Sequence, residues 1–143
     1  MSGLSPVPQG LYRTATRAGG LIFTAGMTPR REGVMLVTGP VRRGDPPEAW
    51  RAAVELAAAN ALAAATDQLA EGERIAAVLS LTVFVAAETG FTAHARLADF
   101  ASAFLRDALG EAGIGSRAAL GVATLPGNAP VEIQLVASVA AEV

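Results

Sequence analysis

Two charged side chains in the last third of the chain lie within extended, apolar sequence. Arg117 begins one apolar run, and Glu132 lies in the next, beyond the bend-forming residues 126–130. A guanidinium can hold a carboxylate through two charge-assisted hydrogen bonds. A carboxyl group can position and deprotonate water, most effectively when burial raises its pKa. The pair indicates an anion clamp beside an acid–base group, although both residues also fit the solvated surface of a hairpin.

The alternation of side chains along a strand predicts where these two groups point. The apolar residues Leu120 and Ile133 are assigned to the core. Arg117 and Glu132 then fall together on the opposite face of one C-terminal hairpin. In that hairpin Glu132 lies opposite Ala123, about 20 Å from Arg117 at about 3.3 Å per residue. This distance is too long for one small substrate, so we expect the two groups to act together only between neighbouring subunits.

Three other side chains are weaker candidates. Tyr12, the only tyrosine, could donate a hydrogen bond to a ligand, with half-buried packing as the alternative. His94, the only histidine, lies near the start of a predicted helix and also fits a solvated position. Ser116 could act as a nucleophile only beside a base, and the sequence indicates none.

The composition excludes several kinds of chemistry. The chain has no cysteine, and all eleven of its cationic residues are arginine. Disulfides, thiolate nucleophiles and zinc–thiolate sites are therefore excluded. So are Schiff bases and lysine-anchored pyridoxal phosphate. A single histidine cannot build a multi-histidine metal site, and we expect neither a cofactor nor a metal.

The length and charge indicate one oligomeric domain. The chain has 143 residues, 52% hydrophobic and 17% charged, which is typical of one ordered domain. A net charge of −2 without clustered cations does not favour a nucleic-acid partner. We recognise neither a signal peptide nor an apolar stretch long enough to span a membrane, so we expect a cytoplasmic protein. So little polar surface favours association between copies.

The hydrophobic pattern predicts an α+β fold in the order β-β-(β)-α-β-α-β-β. Asp45 is predicted to cap the first helix, and Gly110 to end the second. Both helices are expected on one sheet face, and symmetric association would cover the other. The predicted strands are residues 11–18, 21–25, 33–41 and 75–85 and the final hairpin; the predicted helices are residues 46–69 and 92–109.

Several segments resemble the reactive intermediate deaminase (RidA/YjgF-type) family. Residues 115–134, Gly-Ser-Arg-Ala-Ala-Leu-Gly-Val-Ala-Thr-Leu-Pro-Gly-Asn-Ala-Pro-Val-Glu-Ile-Gln, are similar to its C-terminal signature. Residues 20–29 resemble its N-terminal strand motif, and the run from Asn60 resembles part of its first helix. The stretches 90–94 and 110–113 look most like a divergent branch named as YjgF/chorismate-mutase-like endoribonucleases. The resemblance extends over residues 12–137.

The resemblance implies a single chorismate-mutase-like domain over residues 1–143, with residues 1–10 as a loose N-terminal segment. It also implies a homotrimer that binds small carboxylate-bearing substrates in clefts between subunits. The family's activity is the hydrolysis of enamines and imines, such as 2-aminoacrylate, to 2-oxo acids and ammonia. No cofactor is implied.

The family's site residues can be placed on this chain one by one. Arg117 matches the carboxylate-binding arginine, and Glu132 matches the glutamate that assists water. Tyr12 matches a pocket tyrosine, Ala119 would contribute through its backbone, and Gly26 belongs to the pocket motif. Beside Gly26, Ala25 and Met27 replace the serine and glutamine of many members, so a hydroxyl and an amide are expected to be lost.

These departures leave other functions open. A non-catalytic trimer could use the same arginine cleft to bind small 2-oxo acids. An endoribonuclease follows only from the branch's name, and the acidic net charge and single histidine disfavour it. A mutase-type rearrangement would need several cations around a dicarboxylate, and the sequence identifies only Arg117.

Overall fold

The computed structural model describes residues 5–142, which form seven strands and two α-helices with short 3₁₀ turns. The strands are β1 (Ala15–Ala18), β2 (Leu21–Thr24), β3 (Arg30–Arg31), β4 (Val34–Met35), β5 (Glu73–Ala86), β6 (Ser116–Val122) and β7 (Val131–Ala141). The helices are α1 (Arg51–Thr66) and α2 (His94–Leu109). The 3₁₀ turns are Pro47–Trp50, Gly110–Gly113 and Pro126–Asn128. Neither helix of this described part is long and apolar enough to cross a membrane.

Five strands form one mixed sheet in the order β1-β2-β7-β5-β6. Only the β5–β6 pair is parallel, and the other neighbours are antiparallel. A parallel pair needs a long crossover, and α2 provides it between β5 and β6. Both helices pack on one face, so the predicted α+β fold and element order are confirmed.

The predicted C-terminal hairpin is wrong. β5 lies between β6 and β7, so the last two strands are not neighbours. Glu132 is paired with Phe84 of β5, not with Ala123. The loop after β6 leads the chain to the other side of β5, where β7 pairs with both β5 and β2. The alternating pattern could not reveal this, because it shows which face a residue occupies but not which strand lies beside it.

Alanine allows α1 to lie close to the sheet. Nine of its residues are buried, and seven of these are alanine. The spacing predicts an apolar stripe on α2, of which Leu97, Ala101 and Leu105 are buried and Phe104 is half-buried, whereas Ala108 is exposed. Gly110 follows α2 at φ +73°, where glycine is favoured. Burial of this alanine-rich face fixes both helices over the sheet.

Two local predictions need correction. Asp45 does not cap α1; its Oδ2 accepts hydrogen bonds from the Arg42 backbone N–H (2.8 Å) and Trp50 Nε1 (3.0 Å). It closes a turn instead, and the 3₁₀ segment that follows delays the helix. The single extended piece predicted over residues 33–41 contains only the short strand β4, which pairs with β3 just before this segment, and an isolated bridge from Val41 to Ala87. Residues 30–33, which comprise β3 and the turn after it, line one of the cavities described below.

The face of the sheet without helices, which we call the open face, is partly apolar. Leu21, Phe23 and Leu120 are exposed there by 40%, 43% and 37%. Register shifts in β5 between Ile75 and Ser80 break its strict alternation and leave Leu79 exposed. Beyond this irregularity the predicted alternation of β5 is confirmed. Exposed apolar side chains on one sheet face are typical of an association surface.

An ion pair joins the start of β5 to the β1–β2 hairpin. Arg17 Nη1 and Nη2 donate to the Glu73 Oε1 (2.6 Å) and Oε2 (2.8 Å). The hydrogen bond from Arg17, together with one from the Ala70 backbone, lowers the pKa of Glu73 from 4.5 to about 2. The contact therefore stabilises the fold above the unfolded-state pKa and is lost as the pH falls through about 2.

We expect Glu73→Gln to destabilise the protein at pH 7, with a difference from wild type that shrinks between pH 4.5 and about 2. Urea midpoints measured across that range check this sign. Glu71→Gln, which removes a nearby exposed charge, is the matched control. An effect of Glu73→Gln that stays constant from pH 7 to pH 2 would contradict the assignment.

Candidate functional site

Glu132 lies at the start of β7, beside the chain that leaves β2. Met27 and Ile133 exchange backbone hydrogen bonds of 2.7 and 2.8 Å, which holds Gly26 against Glu132. A Cβ atom on Gly26 would lie 2.6 Å from Glu132 Cδ and 2.9 Å from its Cγ. Only glycine leaves this space for the carboxyl group. Gly26, assigned to the pocket by resemblance, thus directly borders the candidate acid–base residue.

The Glu132 carboxyl group is half-buried on the open face. Its neighbours Val131 and Ile133 point into the core, as the alternation predicts. No side chain or backbone group of residues 5–142 forms a hydrogen bond with the Glu132 carboxylate. Burial raises the pKa of Glu132 above its ordinary value. A carboxyl group in this state is a better base near neutral pH than an exposed one.

Glu132 faces a cavity of about 370 Å³. Tyr12 and Gly26 also line it, so three of the site residues inferred from the sequence meet here. The Tyr12 hydroxyl accepts a hydrogen bond from the Gln9 backbone N–H (3.0 Å), so its own O–H can still donate a hydrogen bond to a ligand. A second cavity of about 330 Å³ shares Tyr12 and Gly26 and extends toward Asn60 of α1. A small organic acid fits this volume.

Arg117 lies elsewhere, and its predicted face is wrong. It is paired with Leu81, which is buried beneath the helices, so Arg117 and Glu132 occupy opposite faces of the sheet. They are separated by about 10 Å along the strands and about 10 Å across them. Helix α2 lies so close to this part of the sheet that only small residues fit beneath it. A Cβ on Gly121, for example, would lie 2.6 Å from His94 Nε2.

Three groups of α2 hold the Arg117 guanidinium. Its Nη1 donates to Asp99 Oδ1 (2.8 Å) and Ser102 Oγ (3.0 Å), and its Nη2 approaches the Ala95 carbonyl oxygen (3.4 Å). Both Nη1 protons are therefore used. Nε–H and one Nη2–H remain, and these two form a side-on edge that can hold a carboxylate through two parallel bonds. The side chain as a whole is 24% exposed.

Ala119 lies two residues after Arg117 on β6, on the same face. β6 is an edge strand, and part of its backbone faces away from β5 without a strand partner. Arg117 and Ala119 thus form one half of the candidate site. Glu132, Gly26 and Tyr12 form the other half, which lies in a different part of the same chain.

Sequence reasoning missed two residues of the cavity. Arg30 lines both cavities, and its sequence gives no sign of this. Asn60 Nδ2 donates to the carbonyl oxygens of Thr28 (3.0 Å) and Arg30 (2.8 Å), which ties the cavity wall to α1. A polar residue within the alanine-rich helix was the available signal. Met27 is buried and also lines the second cavity, so its thioether lies where many family members carry an amide.

Metal ligands are not gathered anywhere in residues 5–142: no group of three histidine, cysteine, aspartate or glutamate side chains is close enough to hold an ion.

Comparison with family models decides the identity. The model described as Endoribonuclease L-PSP, which represents RidA/YjgF proteins, matches residues 3–139. The chain belongs to this family. The resemblance found in the sequence is confirmed over nearly its whole length, and no curated protein matches the chain.

Solved structures of this family share the fold. A protein of unknown function from Agrobacterium tumefaciens is 34% identical, with a TM-score of 0.82 over 94% of this chain and 86% of that one. A protein from Shewanella oneidensis, provisionally described as an endoribonuclease, is 27% identical with a TM-score of 0.85 over 94% and 89%. The YjgF gene product of E. coli is 23% identical with a TM-score of 0.67 over 96% and 94%, and it shows the fold alone.

Proposed function

We propose that this RidA/YjgF-family protein hydrolyses reactive 2-imino and 2-enamino acids to 2-oxo acids and ammonia. The observation that carries the proposal is the half-buried Glu132 carboxyl group, which faces a cavity without a hydrogen-bond partner among residues 5–142. A carboxyl group that is partly desolvated and has no hydrogen-bond partner lowers the stability of the folded protein, so its presence here favours a chemical role. Tyr12 and Gly26 border the same group.

The proposed reaction needs water, a base and an anchor for the substrate. Arg117 binds the substrate carboxylate through its Nε–H and Nη2–H. Glu132 removes a proton from water as its oxygen bonds to the imine carbon, and the C=N double bond becomes single. Glu132 then returns the proton to the nitrogen of the carbinolamine. The hydroxyl proton then passes through Glu132 to the nitrogen, the C–N bond breaks, ammonia leaves with the bonding electrons, and the remaining oxygen becomes the 2-oxo group.

The two halves of this site meet only if neighbouring subunits contribute them. Within one chain Arg117 and Glu132 lie on opposite faces of the sheet. We propose a homotrimer, the usual assembly of this family, whose apolar open faces pack together. In it the β6 edge of one subunit borders the Glu132 cavity of the next.

The direct test is ammonia release from an imine generated by an amino-acid oxidase. Wild-type protein is expected to accelerate release above the spontaneous rate, and Arg117→Ala is expected to raise KM strongly. Arg74→Gln, which removes an exposed cation from β5, is the control. A wild-type rate equal to the spontaneous rate would overturn the proposal.

A binding role has one observation in its favour. Ala25 lines the cavity where many family members carry a serine, so this chain lacks that hydroxyl. A protein that binds 2-oxo acids through Arg117 but leaves the imine rate unchanged would be a non-catalytic trimer. Titration with a 2-oxo acid beside the ammonia assay distinguishes the two functions.

Gly26→Ala is expected to lower kcat at least tenfold while the protein remains folded. The added Cβ displaces the end of a flexible side chain, Glu132, so the fold changes little but the carboxylate moves. Gly44→Ala is the control, because nothing lies within 4 Å of its Cβ position. Steady-state rates and thermal midpoints measured together check this. Unchanged activity in folded Gly26→Ala would contradict a catalytic carboxylate at the position seen here.

A further inference from the structure

Arg30 is a second cation in the Glu132 cavity, and the mechanism above does not use it. Its half-buried side chain lines both parts of the cavity together with Tyr12 and Gly26. Nη1 donates to the Gly33 carbonyl oxygen at 2.9 Å, across the tight β3–β4 turn. That turn has positive φ at Glu32 (53°) and Gly33 (81°), which returns the carbonyl toward the guanidinium. The local backbone therefore directs Arg30.

The guanidinium reaches across to the loop between β6 and β7. A Cβ on Gly127 would lie 2.6 Å from Arg30 Nη2, so a side chain there would collide with the cation. Gly127 also has φ +65°, which favours glycine. Pro126, the preceding residue, lines the cavity with Glu132. Arg30 thus forms the wall of this cavity on the side of the loop.

Arg30 and Glu132 share the cavity without pairing. No carboxylate oxygen of residues 5–142 lies within 4.0 Å of the Arg30 guanidinium. The pKa of Glu132 is raised by burial, and no nearby cation offsets the effect. Arg30 therefore lines the cavity as a cation whose side-chain hydrogen bond within residues 5–142 is the one from Nη1 to the Gly33 carbonyl oxygen. An unpaired, half-buried cation favours an anion.

The backbone that carries Arg30 is fixed before any ligand binds. Asn60 Nδ2 donates to the carbonyl oxygens of Thr28 and Arg30 at 3.0 and 2.8 Å. Asn60 belongs to α1, the helix whose alanines are buried against the sheet. A ligand that meets a preorganised cation loses less free energy to ordering.

We infer that the substrate is a dicarboxylic 2-imino acid, in which Arg117 of one subunit holds the carboxylate beside the imine and Arg30 of the next holds the distal carboxylate. The inference rests on the proposed function for the first carboxylate and adds the second. Glu132 then lies between two cations, opposite the imine carbon. A monocarboxylic substrate would leave the Arg30 guanidinium without a partner inside the occupied cavity, which is unfavourable.

The test compares two ligands that differ only at the distal end. 2-Oxoglutarate carries a carboxylate there, and 2-oxopentanoate has the same five-carbon chain with a methyl group. We expect calorimetric titration of wild-type protein to show about tenfold to hundredfold tighter binding of 2-oxoglutarate, the range of one charge-assisted contact. Arg30→Gln is expected to abolish this preference without weakening the binding of 2-oxopentanoate. Arg13→Gln removes a nearby exposed cation and should retain the preference.

Binding and turnover separate the two proposals. A preference for 2-oxoglutarate that Arg30→Gln removes supports the inference, even if no imine is hydrolysed and the deaminase proposal fails. Equal binding of both ligands by wild-type protein overturns the inference, even if imines are hydrolysed rapidly. A preference that persists in folded Arg30→Gln overturns it as well. If neither 2-oxo acid binds, the inference is wrong, and the ammonia assay decides the deaminase proposal separately.

Discussion

Glu132→Gln is expected to lower kcat for imine hydrolysis by about 10²- to 10⁴-fold, the usual contribution of a positioned acid–base group. Glutamine preserves the shape of the side chain and fits beside Gly26, but it cannot accept the proton from water. Because the proposed mechanism assigns carboxylate binding to Arg117, we expect KM to change little. Steady-state rates of ammonia release, measured from pH 5 to 9, check the loss.

The same substitution is expected to leave stability unchanged or increased at pH 7. Burial raises the pKa of Glu132 in the folded state, so ionisation of this group costs stability as the pH rises above its unfolded-state pKa. Glutamine has no such cost, and the advantage of the variant should vanish at low pH. Urea midpoints at pH 3 and pH 7 measure it, with Glu71→Gln as the control for charge. A strong loss of stability in Glu132→Gln would point to a structural role instead.

The contrast between Glu132 and Arg117 shows what the sequence pattern could predict. Glu132 lies between Val131 and Ile133, which are buried beneath the helices, and its predicted face is confirmed. Arg117 begins an edge strand in which the small residues face α2, and Leu120 is exposed on the open face. The hydrophobic pattern placed Arg117 on the wrong face of the sheet. The residues of this strand that pack closely against α2 are small, and the large apolar Leu120 lies on the open face.

The sequence pattern also could not predict which strands lie next to each other in the sheet. The β6–β7 connection has the turn residues of a hairpin, yet β5 separates the two strands. Likewise, Arg30 and Asn60 are 30 residues apart, and only the packing of α1 brings them to one cavity. Long-range contacts of this kind leave no local periodicity. The family signature in residues 115–134, by contrast, was sufficient to identify the family, and the family model confirms it.

A mixture of Arg117→Ala and Glu132→Gln subunits is expected to recover activity that neither variant has alone. If each site takes Arg117 from one subunit and Glu132 from the next, a site is intact when an Arg117-bearing subunit adjoins a Glu132-bearing one. Random assembly at equal amounts makes about one quarter of the sites intact, because each condition is met half of the time in a symmetric ring. At a substrate concentration well below the raised KM of Arg117→Ala, both parents are nearly inactive, and we therefore expect the mixture to show about a quarter of the wild-type rate.

Co-refolding of the variants, with native mass spectrometry to count mixed trimers, provides the measurement. Two controls should stay inactive because neither contains Arg117. One is Arg117→Ala refolded alone, and the other is Arg117→Ala mixed with the double variant that carries both Arg117→Ala and Glu132→Gln. Mixed trimers without recovered activity would show that the two groups do not share a site. Recovery would instead require that the edge of β6 approach the Glu132 cavity of its neighbour, because opposite faces of one sheet cannot bind the same small acid.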